Sequence, residues 1–136
     1  MSTLALVLAA VIFGAMTFFS FVVAPLVFVK VPEADAGRFV RSLFPIYYAV
    51  GAVGTGAAGL LVAGLWPGWV LLALAASFVL LQFGLMPAIN RARDRGLAGD
   101  AAASRRFDRL HKSSVWANGG QLVALAVVLV ALGLDL

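Results

Sequence analysis

Four long stretches of apolar residues alternate with more polar segments along the chain. They cover residues 4–29, 46–66, 69–89 and 114–134. A helix of about 20 residues crosses the hydrocarbon core of a bilayer, and each stretch reaches that length. Backbone amides in lipid must find their partners within the same segment, and the alternation typical of barrel strands does not occur in these stretches. The pattern predicts an all-α fold, an integral membrane four-helix bundle.

A short amphipathic segment lies between the first two stretches. Over residues 33–44, apolar side chains recur at the i, i+3, i+4, i+7 and i+8 positions of a helix that start at Ala36. Pro32 suits the first turn of such a helix, and Pro45 is expected to redirect the chain into the second span. We therefore predict a separate interfacial helix over 33–44 that lies along the membrane surface.

The connection between the third and fourth stretches, residues 90–112, is polar and basic. Gly96 suits the C-cap of one helix, and Asp100 suits the N-cap of the next. We therefore expect the fourth helix to begin before the membrane does. The chain shows no internal repeat, and no Pro/Gly-rich linker separates two cores. We therefore predict a single transmembrane domain over residues 1–136.

The composition limits the kinds of site that the chain can contain. Of its 136 residues, 63% are hydrophobic and 12% are charged, whereas soluble domains average about 25% charged residues. It has no cysteine and one histidine, which excludes a disulfide scaffold and a multi-histidine metal centre within one chain. No HExxH motif, phosphate loop or nucleophile–base constellation occurs. We expect no enzymatic activity and no cofactor.

The basic residues lie in only two of the three connections. Between the first and second spans these are Lys30, Arg38 and Arg41, and between the third and fourth they are Arg91, Arg93, Arg95, Arg105, Arg106, Arg109 and Lys112. In a four-span chain these two connections share one face, and both termini share the other face with the short turn at residues 66–69. The positive-inside rule therefore predicts a multi-pass protein of the cell inner membrane with cytoplasmic basic loops and extracytoplasmic termini.

The same charges suggest a partner. We expect the basic loops to contact anionic lipid headgroups in the bilayer. Neither a nucleic-acid-binding motif nor an aromatic stacking platform accompanies them, so we expect no nucleic-acid partner.

Small residues recur every four positions in the second span, at Gly51, Thr55, Gly59 and Ala63. Such a stripe lets two membrane helices approach closely. The neighbouring helix belongs either to the same bundle or to another protomer, and we favour packing within the bundle.

Polar side chains collect in the half of each span that adjoins the basic connections, while the other halves are nearly all Ala, Val, Leu, Ile and Gly. Polar groups in hydrocarbon are costly unless they face one another or water, so we expect one shared polar cluster. Its predicted members are Thr17, Ser20, Tyr47, Gln82, Asn90, Asp94, Arg109, His111, Ser114, Asn118 and Gln121. On an ideal helix His111 and Asn118 lie about 20° apart, with Ser114 and Gln121 on the adjoining side.

The polar cluster has two interpretations. In the first, its members cross-link helices and anchor loops, with His111 bonded to a carboxylate such as Asp94 or Asp108. In the second, they bind a ligand or line a permeation path. Metal ligation by His111 with Met16 or Met86 is a weaker hypothesis.

Several motifs resemble those of the bacterial relatives of transmembrane protein 205. The matching segments are Gly14–Ser20 with Ala24 and Pro25, Leu43–Tyr48, Pro87–Asn90 followed by Arg93 and Asp94, and Phe107–His111 with Ser114, Asn118 and Gln121. The resemblance extends over almost the whole chain and implies a four-helix integral membrane protein whose cytoplasmic-side motifs are important. The activity of that family is unsettled, and its eukaryotic relatives are discussed in connection with drug export and secretion.

A fainter likeness, in span number and in Pro25 after the first glycine-containing span, is to the copper-resistance and haem-pathway four-helix membrane proteins. This chain has no histidine in its first span, where those haem-pathway proteins have one.

Three functions follow from these observations. The first is a non-enzymatic bundle, expected as a homo-oligomer because four helices make a narrow pore, that binds or helps to move a small solute through the polar cluster in the cytoplasmic half. The alternative is a structural or accessory membrane subunit that grips lipids or a partner complex with its basic loops. A haem- or quinone-linked redox protein is the third. The first is our leading hypothesis.

Overall fold

The computed structural model describes residues 2–136, and four long helices account for most of them. These helices extend over Thr3–Lys30, Glu33–Leu61, Trp66–Leu97 and Ala101–Gly133, and each is long and apolar enough to cross a membrane. We refer to them as the first to fourth long helices. No strand occurs among residues 2–136. The prediction of an all-α four-helix membrane bundle is confirmed.

Two of the long helices contain a π-helical segment. The first consists of α1 (Ser2–Phe18), the π-helical segment Phe19–Val23 and α2 (Ala24–Lys30). The second is α3 (Glu33–Leu61). The third consists of α4 (Trp66–Leu80), the π-helical segment Leu81–Leu85 and α5 (Met86–Leu97), and the fourth is α6 (Ala101–Gly133).

Both π-helical segments immediately precede a proline. The amides of Ala24 and Met86 each donate a hydrogen bond to the carbonyl five residues earlier, instead of four. The next residues are Pro25 and Pro87, which have no amide hydrogen and whose rings crowd the preceding turn. The wider π-helical turns accommodate these rings, so the long helices continue past both prolines.

The four long helices form a ring. α1 packs against α3 and α6, and α4 packs against the same two helices. The second and fourth long helices therefore lie at opposite corners.

The core is built from small and aliphatic side chains with two aromatic rings, and it includes Ala5, Ala9, Ile12, Met16, Tyr48, Leu71, Leu74, Phe78, Leu125 and Val128. The outer surface exposes large apolar side chains on every helix, as expected of a protein surrounded by lipid.

The predicted separate interfacial helix does not form. Residues 33–44 are helical, but they belong to α3, which continues through Pro45 to Leu61. Pro45 cannot donate to the carbonyl of Arg41. Both residues are exposed, so the proline ring lies on the outer surface of the bundle, and α3 continues without this hydrogen bond. The amphipathic segment therefore extends the second long helix.

The turn between the second and third long helices also differs from the prediction. α3 ends at Leu61 and α4 begins at Trp66, so residues 62–65 form the turn. Gly64 has a φ of 94°, a left-handed conformation that favours glycine. Pro67, placed in the turn by the sequence pattern, occupies the first turn of α4 instead, where a missing amide hydrogen does no harm.

The predicted basic loop over residues 90–112 is mostly helical. Only residues 98–100 separate α5 from α6. Gly99, with a φ of 103°, makes the turn in place of Gly96. As predicted, Asp100 caps the fourth long helix, because its carboxylate accepts a hydrogen bond of 3.0 Å from the Ala103 amide.

α3 and α4 approach each other closely at their glycines. A methyl group added at Gly59 would lie 2.9 Å from Leu72 Cγ and 3.0 Å from the Gly68 carbonyl oxygen. One added at Gly51 would lie 2.8 Å from the ring of Phe78. Both glycines therefore permit contacts that a larger residue would prevent.

The small-residue stripe is shorter than predicted. Gly51, Thr55 and Gly59 are buried, and the two glycines face α4 of the same bundle. The Thr55 hydroxyl donates to the Gly51 carbonyl at 2.7 Å. Ala63 does not extend the stripe, because it lies beyond the end of α3 and is exposed.

The packing at Gly59 gives a testable prediction. Gly59→Ala should lower the free energy of unfolding by about 1–3 kcal/mol, the usual range for overpacking. The matched control is Gly56→Ala, whose methyl group would lie 3.6 Å from the Ala75 Cβ in ordinary contact. Thermal unfolding in detergent compares the two variants. Equal stability of the variants would contradict the assigned close approach.

Candidate functional site

Three polar side chains from three long helices form what we call the polar triad: Ser20, Tyr47 and Asn118. The Tyr47 hydroxyl donates to Asn118 Oδ1 at 2.6 Å. Asn118 Nδ2 in turn donates to Ser20 Oγ at 2.8 Å. Ser20 lies in the first π-helical segment, Tyr47 in α3 and Asn118 in α6. The polar triad therefore connects the first, second and fourth long helices, and the tyrosine reaches across the bundle between opposite corners.

Aromatic side chains surround Tyr47. Its ring centroid lies 4.9 Å from that of Phe19, 6.0 Å from Phe44, 5.5 Å from Tyr48 and 6.5 Å from Phe78. These separations are typical of edge-to-face and tilted aromatic packing. The rings restrict the orientation of Tyr47 and so keep its hydroxyl directed toward Asn118.

A second polar contact connects the third and fourth long helices. Gln121 Nε2 donates to Ser77 Oγ at 2.9 Å, and the Ser77 hydroxyl donates to the Leu74 carbonyl at 2.7 Å. Gln121 is only 5% exposed. Its carbonyl oxygen and that of Gln82 are buried and have no hydrogen-bond partner among residues 2–136.

Other predicted members of the polar cluster form contacts within their own helices. The Thr17 hydroxyl donates to the Phe13 carbonyl, and the Ser114 hydroxyl donates to the His111 carbonyl, each at 2.7 Å. Asn90 is half-buried in α5. The hydroxyls of Thr17 and Ser114 therefore bond within their own helices and do not join two helices.

His111 does not join the polar triad. It is exposed, and its ring stacks on Phe107 with 5.7 Å between centroids. In the described part of the chain it has no side-chain hydrogen bond, so the predicted bond to Asp94 or Asp108 is wrong. Of the predicted polar cluster, Ser20, Tyr47 and Asn118 contact one another. His111 was wrongly included with them.

The metal hypothesis gains no support from these positions. Met16 and Met86 are both buried in the apolar core, whereas the His111 ring is exposed.

Two contacts join helices at the basic end, by which we mean the end of the bundle where α2 meets α3 and α5 meets α6. Arg41 of α3 donates two hydrogen bonds, of 2.9 and 3.2 Å, to the carboxylate of Asp94 in α5. The guanidinium of Arg93 lies 5.6 Å from the centroid of the Phe107 ring in α6, within cation–π distance. Gly37 leaves room for that guanidinium, because an added methyl group would collide with it.

Four other arginines line a cleft between α5 and α6, which we call the basic cleft. Its volume is about 320 Å³. The arginines are Arg91, Arg95, Arg106 and Arg109, and the other lining residues are Asp100 and the alanines Ala88, Ala92, Ala102 and Ala103. Small side chains between the helices leave the space open. Of the predicted cluster, Arg109 therefore lies in the basic cleft and not with the polar triad.

The basic cleft carries an excess of positive charge. The ion pairs within residues 2–136 join Arg38 to Asp35 and Arg41 to Asp94, so none involves a cleft arginine. The Asp100 carboxylate lines the cleft but accepts the Ala103 amide as the cap of α6. The N-terminus of a helix favours anions, and α6 begins at this cleft. The site is therefore suited to an anion such as a phosphate group.

The spacing of the arginines in the sequence indicates the basic cleft, whereas their charge alone did not predict it. Arg91 and Arg95 are four residues apart, and Arg106 and Arg109 are three apart. Both spacings place side chains on one face of a helix. Two such pairs on helices joined by a tight turn indicate a concave basic surface.

A second cavity, which we call the apolar groove, lies between α4 and α6. It has a volume of about 510 Å³ and is open along one side. Its wall includes Ala73 and Leu80 from α4, and Ala117, Gly120 and Ala124 from α6. Ser77 and Gln121 also line it, but they bond to each other, and the surface of the groove is almost entirely apolar.

The polar triad gives a prediction about stability. Tyr47→Phe and Asn118→Ala each remove the hydrogen bond between α3 and α6, so their effects should not add. We expect a coupling energy of about 0.6–1.7 kcal/mol, as measured for hydrogen bonds between membrane helices. Unfolding in mixed micelles by an ionic detergent measures each single variant and the double variant. Ser113→Ala serves as the control, because that hydroxyl contacts only the Arg109 carbonyl of its own helix. Additive effects of Tyr47→Phe and Asn118→Ala would contradict the assigned bond.

Comparison with known families finds a match to the first three long helices. The model of a family described as a domain of unknown function, DUF4149, matches residues 7–98. This region contains nearly all of the first three long helices, including Arg91 and Arg95 of the basic cleft. No curated protein and no solved structure matches the chain. The resemblance to relatives of transmembrane protein 205 stays a prediction. Because the match covers more than half of the chain, this protein belongs to the DUF4149 family of domains of unknown function.

Proposed function

We propose that this protein is an accessory or structural membrane subunit that binds anionic phospholipid at the basic end of its bundle. The basic cleft carries the proposal, because its four arginines are exposed and lack acidic partners within residues 2–136. A guanidinium group binds a phosphate with two parallel hydrogen bonds. The phosphate groups of a lipid bilayer are the nearest abundant anions to such a cleft.

The lengths of the helices support this assignment. The four long helices have 28, 29, 32 and 33 residues, which correspond to about 42–50 Å at the usual rise per residue. The hydrocarbon core is about 30 Å thick, and the headgroup layers extend the bilayer to about 40–45 Å. The helices therefore extend into the headgroup layers. With their apolar parts in the hydrocarbon, we expect the basic cleft to lie at the level of the lipid phosphates.

Solute transport through the polar cluster, our leading hypothesis from sequence, has less support. The hydrogen bonds of Ser20, Tyr47 and Asn118 are made with one another. Neither the basic cleft nor the apolar groove is lined by these three residues. The polar triad is better explained as a connection between helices. Solute transport, homo-oligomer formation and the absence of enzymatic activity stay predictions.

We also propose that the basic end faces the cytoplasm, on the positive-inside rule. The chain has no native cysteine, so single cysteines report accessibility without background. Ala98→Cys places a thiol in the turn at the basic end, and Ala63→Cys places one in the turn at the opposite end. Both positions are exposed. In intact cells a membrane-impermeant maleimide should label Ala63→Cys but not Ala98→Cys until the membrane is permeabilised. The opposite labelling would contradict the orientation.

The lipid assignment predicts selective retention. Protein extracted from a bilayer of equal parts phosphatidylglycerol and phosphatidylcholine should retain phosphatidylglycerol in excess, as measured by mass spectrometry of the extracted lipid. Replacing Arg91, Arg95, Arg106 and Arg109 by glutamine should abolish the excess. A matched control removes four charges outside the cleft, at Lys30, Arg38, Arg105 and Lys112, and should keep most of it. Equal retention of the two lipids by the unaltered protein would refute the proposed function.

A further inference from the structure

The basic cleft and the apolar groove lie on the same face of α6. At 100° per residue, Arg109, Ala117, Gly120 and Ala124 all fall within about 60° of Arg106 around the helix axis. Both cavities are closed on their other side by the third long helix, the cleft by α5 and the groove by α4. The two cavities therefore lie one after the other along a single seam between the third and fourth long helices.

The spacing along this seam matches the dimensions of a phospholipid. Arg109 and Ala117 are separated by about 12 Å along the axis of α6, and Arg109 and Ala124 by about 22 Å. One leaflet of hydrocarbon is about 15 Å deep, half the thickness of the core. A phosphate bound by Arg106 and Arg109 would therefore place an acyl chain of the same lipid beside the groove.

The surface of the apolar groove also suits an acyl chain. Small side chains at Ala73, Ala117, Gly120 and Ala124 form the hollow. A methyl group added at Gly120 would meet no atom within 4 Å, so this glycine is not needed for packing inside the bundle. An unbranched hydrocarbon chain fills such a surface and requires no hydrogen bond.

The positive charge of the basic cleft favours a lipid over a second copy of this protein as the occupant of the seam. Two copies packed in parallel along this seam would bring two basic clefts together, and their like charges would repel. An anionic phospholipid instead supplies the negative charge that the cleft attracts and the apolar chain that the groove accepts. One molecule then satisfies both cavities.

We infer that the seam between the third and fourth long helices is a binding site for one anionic phospholipid, with its phosphate in the basic cleft and an acyl chain in the apolar groove. The inference rests on the proposed function, because it specifies how the lipid bound at the basic end is held. It differs from general attraction to a charged membrane surface in requiring particular residues at both ends of the site.

Two matched pairs of variants test the two ends separately. Arg106→Gln removes a cleft charge, and Arg105→Gln removes a neighbouring exposed charge that does not line the cleft. Gly120→Leu fills the groove, whereas Gly119→Leu adds the same side chain about 100° away on α6. Neither glycine has an atom within 4 Å of an added methyl group, so both leucine variants are expected to fold, and circular dichroism and thermal unfolding verify this.

The measurement is native mass spectrometry of the delipidated full-length protein titrated with phosphatidylglycerol, phosphatidylcholine or glycerol 3-phosphate. Arg106→Gln should weaken binding of phosphatidylglycerol about fivefold, the usual contribution of one basic side chain at an anionic surface. Gly120→Leu should weaken it by at least about fivefold, because several methylene groups lose their contact. Arg105→Gln and Gly119→Leu should each stay within about twofold of the unaltered protein.

Any of the following outcomes overturns the inference. If Gly120→Leu and Gly119→Leu bind phosphatidylglycerol equally, the groove holds no acyl chain. If Arg105→Gln weakens binding as much as Arg106→Gln, the attraction is diffuse. If glycerol 3-phosphate binds as tightly as phosphatidylglycerol, the cleft is a site for free phosphate. In the first two cases selective binding of phosphatidylglycerol persists and the proposed function stands. If phosphatidylglycerol binds no better than phosphatidylcholine, the proposed function fails as well.

Discussion

Hydrocarbon offers no hydrogen-bond partner, and this constraint determines where the polar side chains of the bundle lie. The Tyr47 hydroxyl, both ends of the Asn118 amide and the Ser20 hydroxyl contact one another across three long helices. Gln121 likewise reaches Ser77 on the neighbouring helix. A single polar group in this region would be costly, whereas paired groups connect the helices and fix their relative positions. The paired polar groups therefore stabilise the arrangement of the helices in the bundle.

The arginines at the basic end fall into two groups. Arg41 and Arg93 make contacts between helices, with the Asp94 carboxylate and the Phe107 ring respectively. The arginines of the basic cleft have no such partner in the part of the chain that the structure describes. Charges that are not needed for internal contacts remain available to an external anion. We propose lipid phosphate as that anion.

The sequence was sufficient to predict the four spans, because these follow from the transfer of side chains into hydrocarbon. Of the predicted polar cluster, Ser20, Tyr47 and Asn118 bond to one another. The sequence was less informative where a contact depends on which helices are neighbours. Pro45 was expected to redirect the chain into the second span, but it lies on the outer surface of α3, which continues through it. His111 follows the same stripe as Asn118, yet it lies about two turns earlier on α6, where its ring is exposed and stacks on Phe107. The basic cleft forms only because a three-residue turn brings α5 and α6 together.

The central claim is that Ser20, Tyr47 and Asn118 bond to one another within the bundle while the cleft arginines contact lipid phosphate. Solid-state NMR measures this contact directly, through dipolar coupling between the phosphorus of phosphatidylglycerol and the guanidinium carbon of isotope-labelled arginines in bilayers. The account predicts strong coupling, at phosphorus–carbon distances of about 4–5 Å as in a paired guanidinium and phosphate, that is lost when the four cleft arginines are replaced by glutamine. Coupling that is weak throughout, or unchanged by those replacements, would contradict the account.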